Sequence, residues 1–214
     1  MLSDDVPCEA GGWSSHHFSR MRTEDVEVDS AYHELAESAC PAFFAKSSSP
    51  EQLNLAVAKL HHNCTLMAVS RSPDIVSWAV SHRGYWDMVT PAAYPAWANV
   101  SHDTLPERGT FLDIGANIGW QTLVFARAGW NVIAIEAMAR NRHVLKGSLC
   151  LHSTWSERVS LVATALGGPQ SRGPCIIESS KYNNLGNGEV SSNTARRSPF
   201  IVAITRITLN RAPG

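Results

Sequence analysis

The chain has 214 residues and a formal net charge of −1, with 44% hydrophobic and 17% charged residues. Such a length and composition are typical of a soluble globular protein with one domain and an extension. The near-neutral charge excludes a basic surface as a reason to propose nucleic acid as a partner. No apolar run has the length of a membrane-spanning helix, and the N-terminus lacks the basic start and apolar core of a secretory signal. We therefore expect no membrane segment and favour a cytoplasmic location.

The cysteines are widely separated and form no C-x-x-C pair; the five are Cys8, Cys40, Cys64, Cys150 and Cys175. Because a zinc site needs clustered ligands, we expect no metal centre. Scattered cysteines are typical of a reducing compartment, so we expect free thiols. N-glycosylation sequons occur at Asn63 and Asn99, and without a signal sequence we expect both to be unmodified.

The first half of the chain is expected to contain an N-terminal tail and then a helical and aromatic segment, the lead-in, that precedes the α/β domain. Residues 1–50 are rich in acidic side chains, which predicts a disordered tail with one short helix at 31–45. Residues 51–105 predict a helical and aromatic lead-in. Its first helix is expected to begin at Ser-Pro-Glu 49–51 and to carry apolar residues at helical spacing as far as Met67. A second helix is expected to begin at Ser-Pro-Asp 72–74 and to end at Gly84.

Residues 106–214 predict the cofactor-binding half of an α/β domain. Short apolar runs at 110–114, 131–135 and 159–166 are typical of buried parallel strands, and the segments 118–128 and 140–152 between them have helical patterns. This β-α-β-α-β order predicts a Rossmann-like fold, the first half of a doubly wound parallel sheet. The runs 175–178 and 200–209 predict an antiparallel hairpin after it.

The turn after the first of these strands carries the predicted chemistry. The sequence from Phe111 to Gly119 reads Phe-Leu-Asp-Ile-Gly-Ala-Asn-Ile-Gly. Glycines allow close approach of the backbone to a ligand and close packing of the following helix, and the helix N-terminus attracts a carboxylate. An acid beside it could pair with an ammonium group, so the turn suits a zwitterionic amino-acid tail. The predicted ligand contacts are Asp113, Gly115, Ala116, Asn117 and Gly119.

The next two strands end where a nucleoside would lie. Glu136 follows the second strand and can accept hydrogen bonds from both ribose hydroxyls, and Ala165, at the end of the third, is expected beside the adenine. A nicotinamide dinucleotide would require glycines at i, i+2 and i+5, but those positions are Gly115, Asn117 and Trp120. This spacing disfavours an oxidoreductase and favours S-adenosylmethionine.

These residues resemble the FkbM-type methyltransferase family, which is class I and Rossmann-like. That family typically shows Asp-Ile-Gly-Ala-Asn-Ile-Gly and a second strand ending in Ala-Phe-Glu-Pro-Met; here the strand end reads Ala-Ile-Glu-Ala-Met, with Ala137 in place of Pro. Gly-Tyr-Trp-Asp at 84–87 is similar to the Gly-x-Trp-Glu segment of its members. The resemblance covers residues 74–209 and implies S-adenosylmethionine as cofactor and a hydroxyl of a sugar or small molecule as methyl acceptor.

The sequence departs from this family near its end. The family continues after a Thr-Leu-Asp segment with further strands and helices, whereas here Asn210 stands in place of the Asp and four residues follow. We therefore expect the second half of the sheet to be missing and the chain to be a fragment with little activity alone. No catalytic base is assigned: His82 and His102 are candidates, but a lone loop histidine is more often uninvolved in catalysis. The alternatives that stay open are a non-catalytic Rossmann-like binding module and, less favoured, an NAD(P)-dependent oxidoreductase.

Overall fold

A computed structural model describes residues 30–44, 55–60, 65–71, 74–87, 90–93, 108–166, 174–179, 188–191 and 201–203. The predictions that concern Asn63, Asn99 and His102 lie outside these residues. In the described part of the chain, no helix combines the length and the apolar character that crossing a membrane requires.

The described structure contains a three-stranded parallel sheet. Its strands are β3 (Thr110–Ile114), β4 (Asn131–Ile135) and β5 (Val159–Val162), and β4 lies in the middle. Ile114 pairs with Ile135, and Ile135 pairs with Val162, so the carboxyl ends of the strands meet at one edge. The predicted parallel β-α-β-α-β order is confirmed. The third strand ends four residues earlier than predicted, and Thr164 N–H donates back to the carbonyl oxygen of Val162.

Two helices connect these strands, as predicted. Helix α4 (Trp120–Arg127) follows β3, and helix α5 (Ala139–Leu151) follows β4; the short helix α6 (Ser153–Ser156) precedes β5. The Phe125 ring of α4 stacks on Phe111 of β3 at a centroid distance of 3.7 Å and meets the Trp130 ring edge-on at 5.2 Å. These aromatic contacts fix α4 against the sheet.

A buried antiparallel hairpin replaces the helix predicted between residues 49 and 67. Strand β1 (Leu55–Lys59) pairs with β2 (Leu66–Ser70), and that helix prediction is wrong. All residues of the two strands except Lys59 are buried, because α5 packs against the hairpin: Ala68 N–H donates to the Ser148 hydroxyl of α5 at 2.9 Å. A strand buried on both faces shows no alternation of polar and apolar residues, so its apolar run is not distinguishable from that of a buried helix.

Residues 30–44 form two helices within the segment expected to be a tail. Helix α1 (Ser30–Ala39) and helix α2 (Pro41–Phe44) lie in this segment, and Ala36, Cys40 and Phe44 are buried in the core. Cys40 forms a disulfide with Cys150 of α5, with Cα atoms 6.1 Å apart. The expectation of free thiols is wrong for this pair. Disulfides form and persist in oxidising compartments, so the cysteines no longer favour the cytoplasm.

The remaining described elements are a helix that was predicted correctly, a short 3₁₀ turn and a second three-stranded sheet. Helix α3 (Ile75–Arg83) begins at Asp74, whose side chain accepts from Ser77 N–H, and ends at Gly84 with φ of 69°. A 3₁₀ turn covers Pro91–Ala93. Strand β6 (Pro174–Ser179) pairs antiparallel with β7 (Gly188–Ser191) and with β8 (Ile201–Ala203). The predicted antiparallel pairing is present, with an additional strand, β7; residue 200 and residues 204–209 of the predicted long strand lie outside the described residues.

Candidate functional site

The loop between β3 and α4 has the left-handed backbone that its glycines predict. Gly115, Asn117 and Gly119 have φ values of 76°, 53° and 95°. The N–H groups of Gly115 and Ala116 both donate to the carbonyl oxygen of Ile135, at 2.9 and 3.0 Å. This region of φ favours glycine, and short polar residues such as asparagine tolerate it best after glycine. The loop is therefore a rigid turn bound to the end of β4.

Glu136 links the end of β4 to this loop. Its Oε2 accepts a 2.8 Å hydrogen bond from Asn117 N–H, and its Oε1 accepts a 2.7 Å bond from Met138 N–H. The residue is only 6% exposed. Each carboxylate oxygen has two lone pairs, so both oxygens keep acceptor capacity for a ligand hydroxyl. The structure thus places the predicted ribose acid against the predicted glycine turn.

Gly119 provides the close packing between α4 and α5. A Cβ at this position would lie 2.2 Å from Cδ1 of Leu145, closer than any real contact, and φ is also left-handed. Gly115 differs because a Cβ there would meet no atom within 4 Å. Gly119 therefore permits the close packing of α4 on α5, whereas Gly115 borders open space.

The side chain of Asp113 is buried within the protein and does not lie on the surface of the loop. It is 5% exposed, and its Oδ2 accepts a 2.5 Å hydrogen bond from the Thr122 hydroxyl. Burial raises the pKa of Asp113, while hydrogen bonds from the hydroxyl and the backbone N–H of Thr122 lower it and the nearby charge of Glu136 raises it. Asp113 therefore fastens the start of α4 to the end of β3. The sequence pattern did not single out Thr122, the third residue of α4, although its hydroxyl is the partner that decides the role of the acid.

Two further features fit a ligand with polar groups at this edge. The Oδ1 atom of Asn117 is buried and has no hydrogen-bond partner among the described residues. Unpartnered buried acceptors are rare in folded proteins, and a bound ligand is one way to supply the donor. Together with the open space beside Gly115, this acceptor leaves room and an unpaired oxygen for the donor groups of a ligand.

Ala165 lies in a small apolar cluster at the same edge of the sheet. The residue is buried and shares this cluster with Ile177 of β6, and Ala137 and Met138 pack against the pair. Met138 follows Glu136 by two residues, so the apolar cluster lies close to this acid in the chain. A position of Ala165 beside the adenine stays a prediction.

Arg142 is a positive charge at the site that the sequence pattern did not single out. From the first turn of α5, its Nη1 donates to the carbonyl oxygens of Glu136, at 2.9 Å, and of Ala137. Burial lowers the pKa of Arg142, and the Glu136 carboxylate opposes this shift. The guanidinium therefore fixes the backbone that carries the acid. Its place six residues after Glu136 is the only sequence signal that could have indicated this contact.

His82 is exposed in the last turn of α3. Its ring stacks on Trp78 at a centroid distance of 4.9 Å, and its Nδ1 lies 2.9 Å from the Trp78 carbonyl oxygen. The residue is thus engaged on the surface of its own helix. No group of three metal-ligating side chains occurs among the residues that the structure describes.

The chain was compared with models of known protein families and with curated proteins, and neither comparison found a match. The FkbM-type resemblance therefore rests on the motifs at 84–87, 111–119 and 132–138, and membership of that family stays a prediction.

Proposed function

We propose that the chain binds S-adenosylmethionine at the carboxyl edge of β3, β4 and β5 and serves methyl transfer to a hydroxyl group of a sugar or other small molecule. The observation that carries this proposal is the pair of hydrogen bonds that Glu136 accepts from Asn117 N–H and Met138 N–H. They bring a strand-end acid and a glycine turn together, and these are the two parts that a nucleoside with an amino-acid tail requires.

The charge of the site supports a cationic cofactor. Asp113 lies in β3 and Glu136 follows the adjacent strand β4, and the nearby charge of Glu136 raises the pKa of Asp113. S-adenosylmethionine supplies an electrophilic methyl group on a sulfonium centre, and negative side chains favour binding of such a centre. The residues of this chain would hold the ribose and the amino-acid tail and so orient the methyl group toward the acceptor.

Nicotinamide dinucleotides fit the loop less well. Their pyrophosphate requires a glycine at the position of Asn117, where the backbone must approach the phosphates closely. Here Asn117 has a side chain whose Oδ1 is a buried acceptor, and an acceptor repels a phosphate oxygen. This side chain favours a ligand that brings donors, such as hydroxyl or ammonium groups.

Calorimetric titration of the purified chain with S-adenosylhomocysteine and, separately, with NAD tests the proposal. We expect binding of S-adenosylhomocysteine and none of NAD at the same concentration. Binding of NAD alone would replace the proposal with an oxidoreductase, and binding of neither ligand would contradict it. An assay of labelled methyl transfer to hydroxyl acceptors then separates an enzyme from a non-catalytic binding module.

A further inference from the structure

Asp87 is an acid that lies against the helix following the glycine loop. Its Oδ2 accepts a 3.3 Å hydrogen bond from Nε2 of Gln121. Gln121 is the second residue of α4, and Gly119 is the N-cap of that helix. The hydrogen bond therefore holds a carboxylate beside the helix end at which the loop finishes.

The other two acids at this edge are engaged within the protein. Asp113 is buried and accepts the Thr122 hydroxyl, and Glu136 uses both oxygens to accept backbone N–H groups. Asp87 is only half-buried, and in the described part of the chain its Oδ1 has no hydrogen-bond partner. Asp87 is therefore the least buried of the three acids, and the described residues leave one of its oxygens available to a ligand cation.

We propose that Asp87 binds the ammonium group of the amino-acid tail of the S-adenosyl ligand. The inference rests on the proposed function and adds to it a residue that the loop pattern does not contain. In an amino acid the ammonium and carboxylate groups are attached to one carbon, so a carboxylate drawn to the N-terminus of α4 brings the ammonium group beside it. Gln121 orients the Asp87 carboxylate toward this position, and the charge-assisted hydrogen bond is stronger than a neutral one.

The variant Asp87→Asn tests this role because it removes the charge but keeps an oxygen that can accept from Gln121. Two probes are titrated by calorimetry into the full chain: S-adenosylhomocysteine, and 5′-methylthioadenosine, which has the nucleoside and the sulfur but lacks the amino-acid tail. We expect the variant to bind S-adenosylhomocysteine about tenfold more weakly and 5′-methylthioadenosine with unchanged affinity. The variant Asp113→Asn is the matched control, and we expect the ratio of its two affinities to equal that of the unmodified chain.

Each of the other possible outcomes contradicts the assignment of Asp87. If Asp87→Asn weakens both probes equally, or neither, while the unmodified chain binds both, Asp87 does not recognise the tail and the inference is wrong. If Asp113→Asn rather than Asp87→Asn affects only S-adenosylhomocysteine, the buried acid has that role instead. If the unmodified chain binds neither probe, the proposed function itself fails and the assignment of Asp87 fails with it. Circular dichroism of both variants verifies that the fold is retained.

Discussion

The carboxylate of Glu136 accepts a 2.8 Å hydrogen bond from the backbone N–H of Asn117, 19 residues earlier in the chain. This contact joins the end of β4 to the loop between β3 and α4. Because Asn117 has a left-handed φ of 53°, the acid also stabilises a backbone conformation that few residues adopt. Removal of the acid is therefore expected to affect both the loop and any ligand that the loop holds.

The first prediction concerns Glu136→Ala. Loss of the carboxylate leaves two backbone N–H groups without their acceptor and removes the proposed ribose contact, so binding of S-adenosylhomocysteine should weaken by about 1–3 kcal/mol. Calorimetric titration measures this change. Glu157→Ala is the control because Glu157 is exposed and precedes β5, at the opposite edge of the sheet. Unchanged affinity in Glu136→Ala would remove the ribose assignment.

The second prediction compares Gly119→Ala with Gly115→Ala. Both substitutions place a side chain at a left-handed φ, which costs about 1–2 kcal/mol. At Gly119 the added Cβ also collides with Leu145, which adds about 1–3 kcal/mol of overpacking. Thermal and urea unfolding should therefore show a larger loss of stability for Gly119→Ala. Equal losses of stability would contradict the close packing of α4 on α5.

For ligand binding we expect the reverse order: substitution at Gly115 should weaken affinity more than substitution at Gly119. Gly115 borders open space, so a branched side chain in Gly115→Val would occupy the volume proposed for the ligand. We expect this variant to remain folded and to lose more affinity for S-adenosylhomocysteine than Glu136→Ala loses. A folded Gly115→Val variant with full affinity would place the ligand elsewhere.

The third prediction concerns the pH dependence of stability through Asp113. Burial raises the pKa of Asp113, so the folded chain holds this proton more tightly than the unfolded chain does. The contribution of the group to stability is then greatest at low pH and is lost as pH rises from about 4 through the raised pKa. Asp113→Asn keeps an acceptor for the Thr122 hydroxyl and removes the titration.

Urea unfolding of both proteins between about pH 4 and 7 measures this effect. We expect the free energy of unfolding of the unmodified chain, relative to that of Asp113→Asn, to fall as the pH increases. The comparison cancels the groups that titrate equally in the two proteins. A constant difference across this range would show that burial does not shift the pKa of Asp113.

The fourth prediction concerns the disulfide between Cys40 and Cys150. It closes a long loop, with a sequence separation of 110 residues, and ties the α1–α2 junction to α5. Its reduction should lower the free energy of unfolding by about 3–5 kcal/mol, chiefly because the unfolded chain regains freedom. Unfolding with and without reductant measures this loss. The double variant Cys40→Ser with Cys150→Ser is the control and should have the reduced stability under both conditions; a response of this variant to reductant would implicate another cysteine pair.

The sequence by itself determined the strands, the helices and the tight turn between residues 110 and 151. Each apolar run there is bounded by a local signal: Gly115 and Gly119 at the turn and Gly129 with φ of 87° after α4. Such signals act within a few residues, so they are readable without knowledge of the neighbours in space. The same is true of α3, whose Asp74 cap and Gly84 end are both visible in the sequence.

Only the tertiary structure decided the hairpin, the disulfide and the contacts of the three acids within the protein. Strands β1 and β2 are buried except for Lys59, and α5 packs against β2. A strand buried on both faces has no periodicity to distinguish it from a buried helix. The pairing of Cys40 with Cys150 and the contact of Asp87 with Gln121 depend on residues that are far apart in the chain. Asp113 stays a predicted ligand contact, and the structure adds that the Thr122 hydroxyl donates to its carboxylate, because a buried acid must find its hydrogen-bond donors within the fold.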